Sequence, residues 1–80
     1  MNFGEAIAAL KMGSRILRDG WNGKGMWLFL CEPEGPYTLE SDGKEYGRRP
    51  YIYMKDAQNY LVPWLASQTD ILAEDWVALP

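Results

Sequence analysis

The chain has 80 residues, a net charge of −3, and four tryptophans, five tyrosines and two phenylalanines. A domain of this size buries only about 60–65% of the surface of its unfolded chain, so its core is small. The net negative charge disfavours an extended nucleic-acid-binding surface, because such a surface needs clustered Lys and Arg. A single cysteine excludes an intramolecular disulfide, and without histidine it also excludes a conventional zinc site. We therefore predict one domain, residues 1–80, with no metal and no cofactor.

Four tryptophans are difficult to bury in one core of this size. Trp and Tyr are enriched in subunit interfaces, and small cores need reinforcement. We therefore predict that some of these rings line a ligand pocket or a subunit interface, and that the chain forms a homo-oligomer. The N-terminus has no signal-peptide pattern and no apolar run approaches about 18 residues. This predicts a soluble, cytosolic protein with no membrane partner.

The N-terminal segment has the pattern of an amphipathic helix. Asn2 and Glu5 have the spacing of a capping box, and Gly13 is a natural stop. Four apolar side chains share one face: Phe3, Ala6, Ile7 and Leu10. We predict a helix that packs on a sheet, in preference to a surface for a partner.

A short strand and a glycine-rich turn follow. Residues 15–18 fit a strand that ends at the turn signal Asp19-Gly20. In residues 20–25 the glycines permit positive φ, and backbone amides could approach an anion. The turn is not a Walker motif, because its Gly-Lys pair precedes Gly25 rather than Ser or Thr. Trp21 is either an anchor folded onto the sheet or a stacking face for a base, and the sequence favours neither.

The most apolar run, residues 26–31, predicts a central strand. Alternation gives it two apolar sides: Met26, Leu28 and Leu30 on one, and Trp27, Phe29 and Cys31 on the other. If the helix covers one side, another subunit could cover the second. We predict that Cys31 is a small buried hydrophobic residue rather than a nucleophile, because no histidine is available to activate it.

The middle of the chain is less regular. Residues 37–39 predict a brief edge strand before a loop, and Arg48 with Arg49 is the densest positive spot in the chain. These two side chains either extend from a loop into solvent or attract an anion. Residues 51–55 and 60–64 predict a hairpin with a four-residue loop. Pro63 places the second arm at a sheet edge or near its own end.

The last quarter holds consecutive polar residues between Trp64 and Trp76: Ser67, Gln68, Thr69 and Asp70. They follow an apolar stretch and precede Ile71-Leu72-Ala73, so we predict a junction between a strand and a short helix capped by Thr69 or Asp70. Such a junction exposes backbone N–H groups and hydroxyls together. We predict that residues 75–79 are extended. The predicted fold is α+β: an N-terminal helix packed on a small twisted antiparallel sheet, with a short second helix near the C-terminus.

The residue types favour binding over catalysis. A Ser, Thr or Cys nucleophile lacks the usual histidine base, and Asp70 with Glu74 is more simply a cap and a solvated residue than an acid pair. We predict no catalytic residues and no enzyme. Tryptophan faces can stack on a purine, polar side chains can bind ribose, and a helix N-terminus can hold a phosphate. Composition alone does not choose such a nucleotide site over a protein-binding module.

Several motifs resemble the second Thoeris anti-defence family of small phage and prophage proteins, formerly a domain of unknown function. They are residues 1–6, Gly20-Trp21-Asn22-Gly23, and residues 26–30, 63–70 and 73–76. The resemblance covers nearly the whole chain and is weakest over residues 32–49. It implies a sponge that binds the cyclic ADP-ribose isomer made by the defence's TIR-domain sensor, without cleaving it. Some members also capture cyclic dinucleotides of CBASS defence in separate pockets, and members form homotetramers with ligand sites shared between protomers.

The resemblance implies two ligand-binding segments, with Trp21 and Asn22 in the first and Ser67, Gln68, Thr69 and Asp70 in the second. Trp21 would stack on the base, and the polar set would meet ribose and phosphate. The residue pattern alone adds Trp27 and Arg48 to the candidates, whereas Trp64 and Trp76 are expected to be structural supports. We predict a protein that sequesters a cyclic nucleotide in the cytoplasm of the bacterial host cell. The alternatives are a protein-binding inhibitor of a host factor and a structural phage protein.

Overall fold

The computed structural model describes residues 1–21 and 24–80, in which one helix packs on a five-stranded antiparallel sheet. The elements are α1 (Phe3–Lys11), β1 (Ile16–Arg18), a 3₁₀ turn (Asp19–Trp21), β2 (Trp27–Cys31), β3 (Tyr37–Thr38), β4 (Glu45–Tyr46), β5 (Tyr51–Lys55), β6 (Leu61–Pro63), α2 (Gln68–Leu72) and β7 (Trp76–Ala78). The predicted α+β class is confirmed, with its N-terminal helix, antiparallel sheet and short second helix. None of the helices in these two ranges is both long and apolar enough to cross a membrane.

The capping box at the start of α1 forms as predicted. The backbone N–H of Glu5 donates to Asn2 Oδ1 at 2.8 Å, and the backbone N–H of Asn2 donates to Glu5 Oε1 at 2.9 Å. Gly13 follows the helix with a φ of 98°, a left-handed value that glycine adopts without strain. The helix is therefore defined at both ends by short-range interactions.

The order of strands in the main sheet is β6-β5-β2-β1-β7, so β2 is central, as predicted. β7, the last strand, pairs with β1 at one edge, and in this register Arg18 lies opposite Trp76. β6 is the other edge strand, which agrees with the position of Pro63. The pairing of β1 with β7 brings the chain after β1 close to the chain before β7.

The core lies between α1 and one face of the sheet. Its fully buried members are Ala6, Leu10, Ile16, Leu28 and Trp76. Burying a Leu or Ile side chain stabilises a fold by about 1.5–3 kcal/mol relative to leaving it exposed. The ring of Phe3 lies 5.6 Å from the ring of Trp76, so α1 contacts the last strand directly.

The opposite face of the sheet is also aromatic, as the alternation in β2 predicted. We call it the outer face, and it consists of Trp27, Phe29, Cys31, Tyr51 and Tyr53. The ring of Phe29 stacks on that of Tyr53 at 5.6 Å. All five side chains are half-buried or exposed in the single chain. Cys31 is thus less buried than predicted.

The brief strand predicted at residues 37–39 forms as β3, which pairs with β4 in a separate two-stranded sheet whose residues are all exposed. One local prediction was wrong. The hairpin after β5 was expected to have a four-residue loop, but residues 56–60 form a five-residue loop. The Asp56 carboxylate accepts hydrogen bonds from the backbone N–H groups of Gln58 and Tyr60, and Asn59 has a φ of 69°. These hydrogen bonds hold one more residue in the turn.

Candidate functional site

The two segments predicted to bind a ligand lie side by side at one end of the main sheet. β1 leads directly into the 3₁₀ turn that carries Trp21, and β7 follows α2. Because β7 pairs with β1, the turn lies beside the chain that joins the end of α2 to β7, and Arg18 connects to Asp70 in the first turn of α2. The backbone N–H of Asp19 donates to the carbonyl of Asp75 at 2.9 Å, which joins the turn to the chain between α2 and β7.

α2 begins at Ser67, which is its N-cap, so the prediction that Thr69 or Asp70 caps this helix was wrong. The Ser67 hydroxyl accepts from the backbone N–H of Asp70 at 3.1 Å and donates to Asp70 Oδ2 at 2.8 Å. Asp70 Oδ2 also accepts from the backbone N–H of Ser67 at 3.0 Å. This is a capping box, and it occupies the Ser67 hydroxyl and one carboxylate oxygen with each other. Both side chains therefore define the helix start.

Three side chains form an ion-pair network that joins the two segments: Arg18 at the end of β1, Asp70 in α2, and Asp75 in the chain between α2 and β7. Arg18 Nη1 donates to Asp70 Oδ1 at 3.0 Å, and Arg18 Nε donates to Asp75 Oδ1 at 2.9 Å. The side chains are 19%, 14% and 33% exposed. Hydrogen bonds between ionised groups are stronger than neutral ones. The network therefore ties the end of β1 to both ends of the segment that contains α2.

The ion-pair network shifts the ionisation of its members. The pKa of Asp75 is lowered by the hydrogen bond from Arg18 and by the backbone N–H of Gly20. Burial alone would raise the pKa of Asp70, but hydrogen bonds from Ser67 and Arg18 outweigh it, and the pKa is lowered. The pKa of Arg18 is raised by its hydrogen bonds to Asp75 and Asp70. Both carboxylates are therefore held as anions.

Trp76 supports the two segments from below, as predicted. It is buried, and its indole Nε1 donates to the carbonyl of Asp70 at 3.0 Å. The Trp64 ring lies 6.1 Å from the Trp76 ring in an edge arrangement. Both tryptophans belong to the packing beneath α2.

Trp21 lies at the boundary between core and surface. Its ring meets the Trp76 ring edge to face, with centroids 5.6 Å apart, and its side chain is half-buried. The residue is thus an anchor on the core that keeps part of its ring at the surface. Asn22, its predicted neighbour in the site, lies outside the described residues.

Gln68 and Thr69 are exposed, as is Ser67, whereas Asp70 is half-buried. Gln68 and Thr69 occupy the first turn of α2, between Ser67 and Asp70. Their side chains form no hydrogen bond with any other residue that the structure describes. Their amide and hydroxyl groups are therefore the polar groups of this segment best placed to contact a ligand.

Trp27 and Arg48 lie on other surfaces. Trp27 belongs to the outer face, where the Arg15 guanidinium lies 5.1 Å from its ring centroid. Arg48 Nη2 and Nε donate to the carbonyls of Glu34 and Gly35 at 2.9 and 3.2 Å. These contacts place Arg48 in the segment that carries the small sheet. The structure therefore does not bring either residue together with the two predicted segments.

Sequence reasoning missed Arg18 and Asp75. The alternation of side chains in β1 was a usable signal for Arg18, because residues two apart in a strand face the same side of the sheet. Arg18 therefore follows the buried Ile16 on the core side of the sheet. A charged side chain on that side needs a partner, but the partner lies 57 residues away along the chain.

The residues that the structure describes, 1–21 and 24–80, form a small α+β domain with aromatic, amide and hydroxyl groups at one end of the sheet and no pocket. Residues 1–79 match the family model Tad2-like, described as the Thoeris anti-defense 2-like domain. The chain is similar to Thoeris anti-defense 2 of Bacillus phage SP01, with 45% identity over 84 residues that cover 95% of this chain and 91% of that protein. The chain belongs to the Thoeris anti-defense 2-like family, which confirms the resemblance of its motifs and places it among anti-defence proteins.

Proposed function

We propose that the protein counters bacterial defence by binding a cyclic ADP-ribose-type signal and holding it without cleavage. The observation that carries the proposal is that Trp76 contacts both segments: its ring meets the half-buried Trp21 ring at 5.6 Å, and its indole Nε1 donates to the carbonyl of Asp70 in the first turn of α2. This end of the sheet therefore carries an aromatic ring together with exposed amide and hydroxyl groups. Stacking on a base and hydrogen bonds to ribose need these groups. Similarity to an anti-defence protein supports the same function.

Within this proposal, the polar residues of the second segment divide into two roles. Gln68 and Thr69 contact the ligand, because they are exposed and, unlike Ser67, their side chains bond to no other described residue. Ser67 and Asp70 hold the first turn of α2 in place, because they bond to each other and Asp70 also bonds to Arg18. Trp21 stacks on the base, and Asn22 follows it in the chain.

The geometry around Ser67 supports binding without turnover. A serine beside a carboxylate resembles part of a catalytic pair, but a general base must have a pKa near the working pH. The pKa of Asp70 is lowered, and Arg18 pairs with its second oxygen. A carboxylate held in this way is a weak base, so the Ser67 hydroxyl is not activated.

We also propose that the active form is a homo-oligomer, a tetramer by analogy with the family resemblance. The aromatic outer face supports this, because a second copy would cover side chains that the single chain leaves partly in water. A shared site would then receive groups from two protomers. The sponge would act in the cytoplasm of the host cell, and cyclic dinucleotides are a second ligand class to test.

The test is calorimetry of the purified protein with cyclic ADP-ribose isomers and cyclic dinucleotides, followed by heat release and chromatography of the freed ligand. We expect saturable binding and recovery of the intact ligand. Recovery of a processed product would instead identify an enzyme. Absence of binding to every nucleotide, together with a stable complex in pull-downs from host lysate, would identify a protein-binding inhibitor.

A further inference from the structure

The Arg18 side chain links both candidate ligand-binding segments through ion pairs. Arg18 is the last residue of β1, directly before the 3₁₀ turn. One guanidinium nitrogen reaches Asp70 in the first turn of α2, and another reaches Asp75 after that helix. Asp75 Oδ2 in turn accepts from the backbone N–H of Gly20 at 2.8 Å. The turn and the helix start are thus connected through two carboxylates.

We propose that Arg18 is a positioning residue that fixes the 3₁₀ turn and the start of α2 relative to each other, so that the two segments bind one ligand. This inference rests on the proposed function and deepens it. Arg18 acts through Asp70 and Asp75 and does not itself contact the ligand.

The close packing around Asp75 supports a positioning role. A Cβ atom added at Gly20 would lie 2.8 Å from Asp75 Oδ2, which is closer than side-chain carbons approach such an atom. The turn therefore has little freedom to move against Asp75 while the ion-pair network is intact. The planar guanidinium reaches both carboxylates through separate nitrogens, a geometry that a lysine ammonium does not reproduce.

The experiment compares ligand affinity and thermal stability in the full-length oligomer, with a cyclic ADP-ribose isomer as the probe. Arg18→Met and Asp75→Asn should each weaken binding about tenfold or more, because loss of either partner frees the turn from the helix. Arg18→Lys keeps the charge and should remain weakened. In NMR spectra of the ligand-free protein, the amide signals of Gly20, Gln68 and Thr69 should shift together in Arg18→Met.

Two control variants separate a positioning role of Arg18 from general effects on stability and charge. Ile16→Val lowers the stability of the fold by changing a buried residue of the same strand. Its affinity for the ligand should lie within about twofold of the wild-type affinity. Lys11→Met removes a positive charge from an exposed position in the last turn of α1 and should also bind normally.

Whether Asp75→Asn weakens or strengthens ligand binding distinguishes a positioning role of Arg18 from direct contact with the ligand. If Arg18 contacted a ligand phosphate directly, removing Asp75 would free the guanidinium and strengthen binding, and this result would overturn the proposal. Wild-type affinity in Arg18→Met or Arg18→Lys would also overturn it, while leaving the proposed function intact. Failure of the wild-type protein to bind any cyclic nucleotide would overturn both. If Arg18→Met does not fold, Asp75→Asn and Arg18→Lys decide the question.

Discussion

At the scale of single residues, the structure shows Trp21 as an anchor on the core, and the stacking role is our proposal. Its edge contact with Trp76 makes it part of the packing, and its exposed portion leaves a surface for stacking. The sequence showed a tryptophan in a glycine-rich turn, which is compatible with both roles. The two roles are compatible, because a large ring can contact the core on one side and leave the remainder for a ligand.

Trp21→Ala should therefore affect both stability and binding. Loss of a half-buried ring should lower the free energy of unfolding by about 1–3 kcal/mol. Affinity for the cyclic nucleotide should fall as the stacking surface is removed, while the oligomer stays intact. Urea unfolding, calorimetry and size-exclusion chromatography with light scattering measure the three effects. Trp21→Phe is the matched control, since it retains an aromatic edge for Trp76. Full affinity in Trp21→Ala would show that the ring is an anchor alone.

At the scale of elements, the features that the sequence predicted correctly are those that depend on short-range interactions. The α1 capping box depends on residues three positions apart and formed as predicted, and the hairpin of β5 and β6 also formed, with a loop one residue longer than predicted. The cap of α2 could also have been predicted, because Ser67 and Asp70 have capping-box spacing, but Thr69 and Asp70 are suitable caps as well. The partner of β3 and the contacts of Arg18 could not be predicted, because they depend on which strands become neighbours.

The ion-pair network that joins β1 to the α2 segment should make stability depend on pH. The pKa values of Asp70 and Asp75 are lowered in the folded protein. The unfolded chain therefore binds more protons, and stability increases with pH in the acidic range. The contribution is complete above the unfolded pKa of about 3.9 and is lost as the pH falls through the folded values.

Thermal unfolding of wild type and Asp75→Asn between about pH 3 and pH 7 tests this dependence. The wild-type melting temperature should exceed that of the variant near neutral pH, and the difference should shrink as the carboxylates become protonated. A constant difference across the range would show that ionisation of Asp75 does not contribute to stability.

At the scale of the whole molecule, the outer face is the surface that a single chain leaves incomplete. Its aromatic rings pack on each other, as in the contact of Phe29 with Tyr53, and no described element covers them. Phe29→Glu should therefore weaken association of subunits, because a carboxylate in an apolar interface has no partner. Light scattering should detect a lower mass while circular dichroism shows retained secondary structure.

Tyr60→Glu is the control for this experiment, since Tyr60 is 70% exposed in the loop before β6. The control should keep the mass of the wild type. Wild-type mass in Phe29→Glu would exclude the outer face from the interface.

The pairing of β1 with β7 also determines the order in which the chain can fold. β5 and β6 are joined by a short loop and can form their hairpin early, whereas β7 must return to a strand about 60 residues before it. Closing a loop of that length is entropically unfavourable until most of the sheet exists. The ion-pair network and the surface above it therefore assemble late in folding, and we expect that mutations in β7 accelerate unfolding more than they slow folding.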